Sequence, residues 1–408
     1  MNYLKKLIIF CAIYSSVQVF SHFHIENKDE LKAVIIESSL LKKLNIESLY
    51  TDPVSKLAYT VINNFEAQQI SHEVHKEGKC GGFEMLSNSH NLSTASIEEL
   101  FSSLKNRENT ELFSSRHKKI IKKTERSLEL LELLSKENLE KYVEWLSSFK
   151  NRYYKDSNTN KHIDPVIKKI QNWIDSSSLN AQVERINHSS IKQDSIRLRI
   201  DGSLNPDAIV VLGGHLDSIT SSFWGGPVTE APGADDNASG SACLLEVARV
   251  ILENSVENEK TLEFFWYAGE EGGLIGSAEI AKDYKNTNKN VEAVLQLDMT
   301  SFPGSGVHTI GSMNDFTSKW LRDFLVEINI EYELGITIED DQCGYGCSDH
   351  ASWYRQGFDT VMPFESTFDQ SNKKIHTKND LINTQTNWEH SLNFAKIALI
   401  FTEELANN

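Results

Sequence analysis

Cationic side chains are in short supply in this chain, with 41 Lys and Arg against 58 Asp and Glu for a net charge of -17. That balance argues against nucleic acid or an anionic membrane surface as a partner. Apolar runs are scarce too. The prominent one, Leu7 to about Phe20, follows Lys5 and Lys6 and ends in the small residue Ser21. It is too short to span a bilayer and no stop-transfer pattern follows, so residues 1–21 read as a secretory signal peptide cut after Ser21. Cysteine is sparse, at five in 408 residues, and Cys11 departs with the signal. Export places the other four in an oxidising compartment. Cys343 and Cys347, four apart in CGYGCSDH, suit a local disulfide; a zinc site of paired cysteines would need a second pair that the sequence lacks. Cys80 and Cys243 are free or paired with each other, and Cys243 lies in an apolar helical pattern that suits core packing.

What is present is organised in three parts. Residues 22–120 read as helix-rich and end in a basic run, Lys105 to Arg126, that is either a solvated helix face or an exposed connector open to a processing protease. Helical stretches are expected around Leu128–Phe149 and Pro165–Ser176. From DSIRLRID onward strands and helices alternate: DAIVVLGGHLDS, KTLEFFWYAGEE and VEAVLQLDMT read as strands, SGSACLLEVARVILEN and LIGSAEIAKDYKN as helices. Such alternation predicts an α/β fold, a mostly parallel mixed sheet covered by helices on both faces, with ligands beyond the carboxyl ends of its strands.

Polar residues gather at those ends. His215 and Asp217 close the first strand, Glu270 and Glu271 the second, Asp298 the third, and Asp235, Asp236 and Asn237 precede a helix. Singly, each has an ordinary reading: a hydrogen-bonded core histidine, a helix N-cap, a turn residue. Together, so many carboxylates on one apolar edge would repel by several kcal/mol in a poorly solvated site, and a polyvalent cation is the economical compensation. Imidazoles from His215 and from His376 in KKIHTKND shift the preference from magnesium or calcium towards zinc. The carboxylates are too many for one tetrahedral ion, and two ions sharing a carboxylate account for them better.

The segments GGHLDS, APGADDNASG, AGEEGGLIGS, LQLDMT, CGYGCSDHASW, MPFES and IHT, in this order, resemble the secreted co-catalytic di-zinc aminopeptidases of the bacterial leucyl aminopeptidase type. The resemblance runs from about Phe149 to the C-terminus. It implies the zinc exopeptidase fold for residues 121–408, a removable propeptide at 22–120, and a monomer that takes peptides with a free N-terminus. It further implies two Zn²⁺ per chain, one on His215 and Asp298, the other on Glu271 and His376, with Asp236 bridging. Asp217 would orient His215, Glu270 would be the general base, and the Tyr345 hydroxyl would steady the oxyanion. Met299, Met362, Phe364, Phe368 and Ile375 resemble the pocket for a leucine-like first side chain, although core packing explains them as well. Two departures stand out: Ser371 where relatives often carry an aromatic residue, and Asn237 where close relatives carry a third aspartate. In HEVHKEGKCGGF, His72, His75 and Cys80 are zinc-ligand types that would suit a plug, while a turn around Gly81 and Gly82 is the simpler reading. Two other readings compete: a glutaminyl cyclase-like acyltransferase, which resembles these peptidases but uses a single zinc, and a non-catalytic ectodomain.

Overall fold

The computed structural model describes residues 31–76, 83–86, 92–93, 95–102, 120–220 and 230–407. The proposed signal segment, Cys80, Gly81 and Gly82, and most of the basic run lie outside them.

The N-terminal unit departs from the helix-rich expectation. Its elements are β1 (Lys32–Glu37), α1 (Ser38–Leu44), β2 (Tyr50–Thr51), β3 (Leu57–Ile62), α2 (Asn64–Lys76) and β4 (Phe83–Leu86). The strands form an antiparallel sheet in the order β2-β3-β1-β4. The physical reason is that both faces of KAVIIE and LAYTVI are covered, so these strands read as continuous apolar runs instead of alternating ones. Val34, Ile36, Ala58 and Ile62 pack with Ile70 and Val74 of α2. Ala33, Ile35, Leu57 and Tyr59 face the other way, towards Ile97, Phe101 and the distant Phe316.

Beyond the basic run the chain is tied to the second unit at once. Lys122 N–H donates to Glu404 Oε2 at 2.9 Å, and Arg126 holds the buried Glu403 carboxylate at 2.8 Å. One helix was expected over Leu128–Phe149, but two form, α3 (Glu125–Glu132) and α4 (Lys136–Ser147). Ser135 separates them, its hydroxyl accepting from Asn138 N–H at 3.2 Å as an N-cap. Then follow α5 (Ile163–Ser176), β5 (Ala181–Ile186), β6 (Ser195–Ile200), β7 (Asn205–His215), α6 (Gly240–Glu253), β8 (Lys260–Tyr267), α7 (Ile275–Asn286) and β9 (Asn290–Gln296). After them come β10 (Thr309–Met313), α8 (Lys319–Glu331), β11 (Thr337–Asp341), α9 (His350–Arg355), β12 (Thr360–Val361), β13 (Pro363–Phe364) and α10 (Trp388–Ala406).

The central sheet runs β12-β9-β7-β8-β6-β5. Strands β12, β9, β7 and β8 pair in parallel, whereas β6 and β5 are antiparallel. Alternate side chains of β7 and β8 enter separate cores. Val210, Leu212, Leu262, Phe264 and Trp266 pack under α4, α5, α6 and α10, while Val211, Phe265 and Tyr267 meet Ile280 and Tyr284 of α7 and Trp353 of α9. Helices therefore cover both faces. Trp266 is fully buried and donates its indole N–H to the Ser241 carbonyl at 3.2 Å, so truncating it to Ala should cost about 3–5 kcal/mol. A smaller sheet, β11-β10-β13, stands beside the carboxyl ends of the central strands, linked to them by a bridge between Asp298 and Phe364.

Candidate metal centre

The parallel strands β7, β8 and β9 all end at the same edge, and the polar residues that follow them converge there. His215 is the last residue of β7. Its Nε2 lies 3.0 Å from Asp236 Oδ1 and 3.4 Å from Asp298 Oδ1. On the other side of Asp236, Oδ2 is 2.7 Å from His376 Nε2, which is itself 3.3 Å from Glu271 Oε2. All five expected ligands thus meet around Asp236, and each is at most 2% exposed. A sixth residue joins them from the N-terminal unit: His75, near the end of α2, places Nε2 3.4 Å from Glu271 Oε2.

The surroundings position these groups. Asp298 Oδ2 accepts from the Ser348 hydroxyl at 2.6 Å. His215 is oriented through Nδ1 by the main-chain carbonyl of Asp217 at 3.1 Å. The Asp217 carboxylate, with Oδ1 3.5 Å from the same Nδ1, also accepts the backbone N–H groups of Glu270 and Glu271 at 3.0 and 3.3 Å. It fixes the turn that presents both glutamates. Gly269 (φ 65°) and Gly273 (φ 104°) bound that turn in left-handed conformations that a side chain would strain.

Asp235 and Asp236 part company. The Asp235 carboxylate turns inward to Ser301 N–H at 3.0 Å, the Ser301 hydroxyl at 2.7 Å and Asn372 Nδ2 at 2.9 Å. Asn237, where a third aspartate was expected by analogy, donates Nδ2 to the Leu297 carbonyl at 3.0 Å and accepts from Gly240 and Met299 N–H through Oδ1. An aspartate has no donor for Leu297, so the amide knits β9 to the start of α6.

Three supporting residues carry no sequence signal of their own. Asp380 accepts the backbone N–H groups of Asp235 and Asp236 at 3.0 and 3.1 Å. Ser348 braces Asp298. The fully buried Arg152 spends its guanidinium on the carbonyls of Leu146, Leu216, Pro232 and Gly233. Arg152 therefore does not ion-pair with the carboxylates it lies near, and burial pushes it down to about 10.

Burial raises Glu270 and Glu271 well above the usual carboxylate range, and Asp298 and Asp217 add to the effect on Glu270. For Glu271 the neighbouring Asp236 and Glu270 charges add to burial. Neither oxygen of Glu270 has a hydrogen-bond partner among the described residues. Buried, converging carboxylates facing imidazole Nε2 atoms have the chemistry of a cation site with mixed nitrogen and oxygen donors, and such a set suits zinc. The donors fall into two clusters, His215–Asp236–Asp298 and His75–Glu271–His376.

Beside Asp298 lies an apolar recess lined by Met299, Met313, Cys347, Met362, Phe364, Phe368, Ser371 and Ile375. It brings together all five expected pocket residues and adds Met313 and Cys347. Tyr345 packs at its rim against the Phe368 ring, 6.3 Å between centroids. Cys343 and Cys347 are disulfide-bonded. Cys243 is a buried free thiol, which removes the Cys80–Cys243 pairing.

Comparison with known proteins agrees with this geometry. Residues 196–402 match peptidase family M28. A protein described as "Probable leucine aminopeptidase" from Trichophyton verrucosum is 39% identical over 278 residues, 67% of this chain and 73% of its own. Leucine aminopeptidase 1 of Neurospora crassa is 37% identical over 287 residues, 68% of this chain and 70% of its own. Among solved structures, the LapA aminopeptidase of Legionella pneumophila superposes with a TM-score of 0.77 at 25% identity, covering 93% of this chain and 99% of that one. The chain belongs to peptidase family M28. It is a metalloaminopeptidase, a zinc-dependent hydrolase of N-terminal peptide bonds.

Proposed function

We propose that the protein removes leucine-like or other hydrophobic N-terminal residues from peptides, using two zinc ions and Glu270 as general base. The observation that carries this reading is the pair of buried clusters on either side of Asp236, with the unliganded Glu270 next to one of them. His215 and Asp298 would hold one ion and Glu271 and His376 the other, with Asp236 shared between them. When bound, the ions supply Lewis-acid polarisation of the scissile carbonyl and acidify the attacking water. Glu270, with both oxygens free of hydrogen bonds among the described residues, takes that water's proton and returns it to the leaving amine. Cation charge beside it offsets the burial that otherwise favours its neutral form. The Tyr345 hydroxyl donates to the developing oxyanion. The recess around Met299, Met362 and Phe364 receives the first side chain, and Ser371 on its wall leaves room for more than leucine.

The chain is made as an exported precursor with a signal at 1–21, a propeptide at 22–120 and a catalytic domain at 121–408, active as a monomer. Two features favour this division. The N-terminal unit has its own sheet and cores, and from Lys122 onward the backbone is bonded into the second unit. Among the described residues no helix is long and apolar enough to cross a membrane.

Metal analysis of the purified protein, paired with hydrolysis of leucyl-p-nitroanilide before and after chelation, tests the proposal. Two zincs per chain and chelator-sensitive release of p-nitroaniline are expected. A single zinc with cyclisation of N-terminal glutamine would replace it with the acyltransferase reading, and metal-free protein with no turnover would leave only a binding role.

A further inference from the structure

The geometry points to His75 as a metal ligand supplied in cis by the N-terminal unit, which closes the Glu271–His376 ion site. This inference rests on the two-ion reading above. A buried histidine is more often a satisfied core residue, but His75 is not satisfied. Its Nδ1 meets the Ser71 hydroxyl at 3.2 Å, one helical turn back, and this fixes the ring. Its Nε2 makes no hydrogen bond among the described residues and points at Glu271 Oε2, 3.4 Å away. The ring lies 4.2 Å from that of His376, centroid to centroid. Two imidazoles drawn together in a buried, anionic pocket are arranged to share a cation.

Ligand counting gives the consequence. Asp236, Glu271 and His376 offer three protein donors, the number a catalytic zinc keeps alongside an open position. Adding His75 makes four, the number of a closed structural site. The imidazole would occupy the position that water or a peptide needs, and the site opens only when α2 withdraws.

The rest of the unit is docked to hold α2 there. Phe83 packs on Gly273, where a built Cβ would come within 2.9 Å of its ring. Met85 N–H donates to the Gly273 carbonyl at 3.3 Å. Glu84 forms a buried ion pair with Arg355 at 2.5 Å, and the Arg355 guanidinium lies 4.6 Å over the Phe316 ring. The Phe83 and Met85 contacts fall at Gly273, the end of the turn that carries Glu270 and Glu271.

The test uses the full chain, stripped of metal and titrated with Co²⁺ under calorimetry and visible absorption, compared with His75→Ala and His75→Gln. Gln keeps much of the side-chain volume should Ala disturb folding. Both variants are expected to retain two sites, with one affinity lowered about tenfold to a hundredfold. The visible ligand-field bands of cobalt should shift as a water oxygen replaces the imidazole nitrogen in the vacated position. Two-ion titrations and spectra identical to wild type would overturn the inference and leave the two-ion reading standing. One ion in wild type and variants alike would overturn both.

Discussion

The clusters on either side of Asp236 are built differently. The His215–Asp298 side belongs to the sheet: His215 ends β7, Asp298 follows β9, and the Asp217 carbonyl and Ser348 hydroxyl fix the two side chains. The Glu271–His376 side belongs to loops: Glu271 sits in a glycine-bounded turn, His376 has a left-handed backbone (φ 55°), and His75 comes from another unit. A site anchored on strand ends is positioned by the fold itself. One assembled from loops depends on whichever segments happen to be in place, and is the side where regulation can act.

The largest expected effect comes from the residue the two halves share. Asp236→Ala should empty both sites, with metal content falling from two per chain to none and turnover lost, as metal analysis and leucyl-p-nitroanilide assays would show; retention of one ion would mean that the clusters are independent. Next is Glu270→Gln, which should lower kcat by about 10²–10⁴ while both ions stay bound. Loss of metal with activity would make Glu270 a ligand. Ser348→Ala acts on the sheet side alone and should weaken one ion about tenfold to a hundredfold, read by competitive chelation.

The smallest effect lies away from both halves. Burial works against the Glu279 carboxylate, yet hydrogen bonds from His188, Ser190 and Ser189 outweigh it and hold the group down to about 2, from 4.5. A depressed carboxylate stabilises the fold above its unfolded pKa, and that contribution is lost as pH falls from about 4.5 to about 2. Glu279→Gln should therefore narrow the difference in urea midpoint between neutral and acid pH, with metal content unchanged.

The two halves also differed in how far the sequence disclosed them. His215 and Asp298 terminate apolar strand runs, so their convergence follows from a parallel sheet before any coordinates. Glu270 and Glu271 were visible for the same reason, as a charged pair after KTLEFFWY. His376 has no such frame: its loop is irregular, so the sequence offered its imidazole as a zinc-type donor, and family resemblance assigned it a place in the site. Asp235 and Asp236 are indistinguishable in local chemistry, because what separates them is a pair of distant partners, Ser301 and Asn372, that claim one and leave the other. Asp380 was missed because it acts by accepting main-chain N–H groups, a role that any exposed-looking acid in a loop conceals. The N-terminal sheet was misread because short strands with both faces covered lose their alternation. His75 was recognised as a ligand type, but its distance from Glu271 is a tertiary fact that sequence spacing does not contain.

If the proposed propeptide is removed, Arg152 sets a boundary on where the cut can fall. Its side chain ties the end of α4 to the carbonyls of Leu216, Pro232 and Gly233, which lead directly into the Asp235–Asp236 turn. Proteolytic trimming that stops upstream of α3 leaves this rivet in place. Trimming that runs past it would spare every residue of the central sheet and the five donors His215, Asp236, Glu271, Asp298 and His376, yet slacken the segment on which the shared carboxylate is carried.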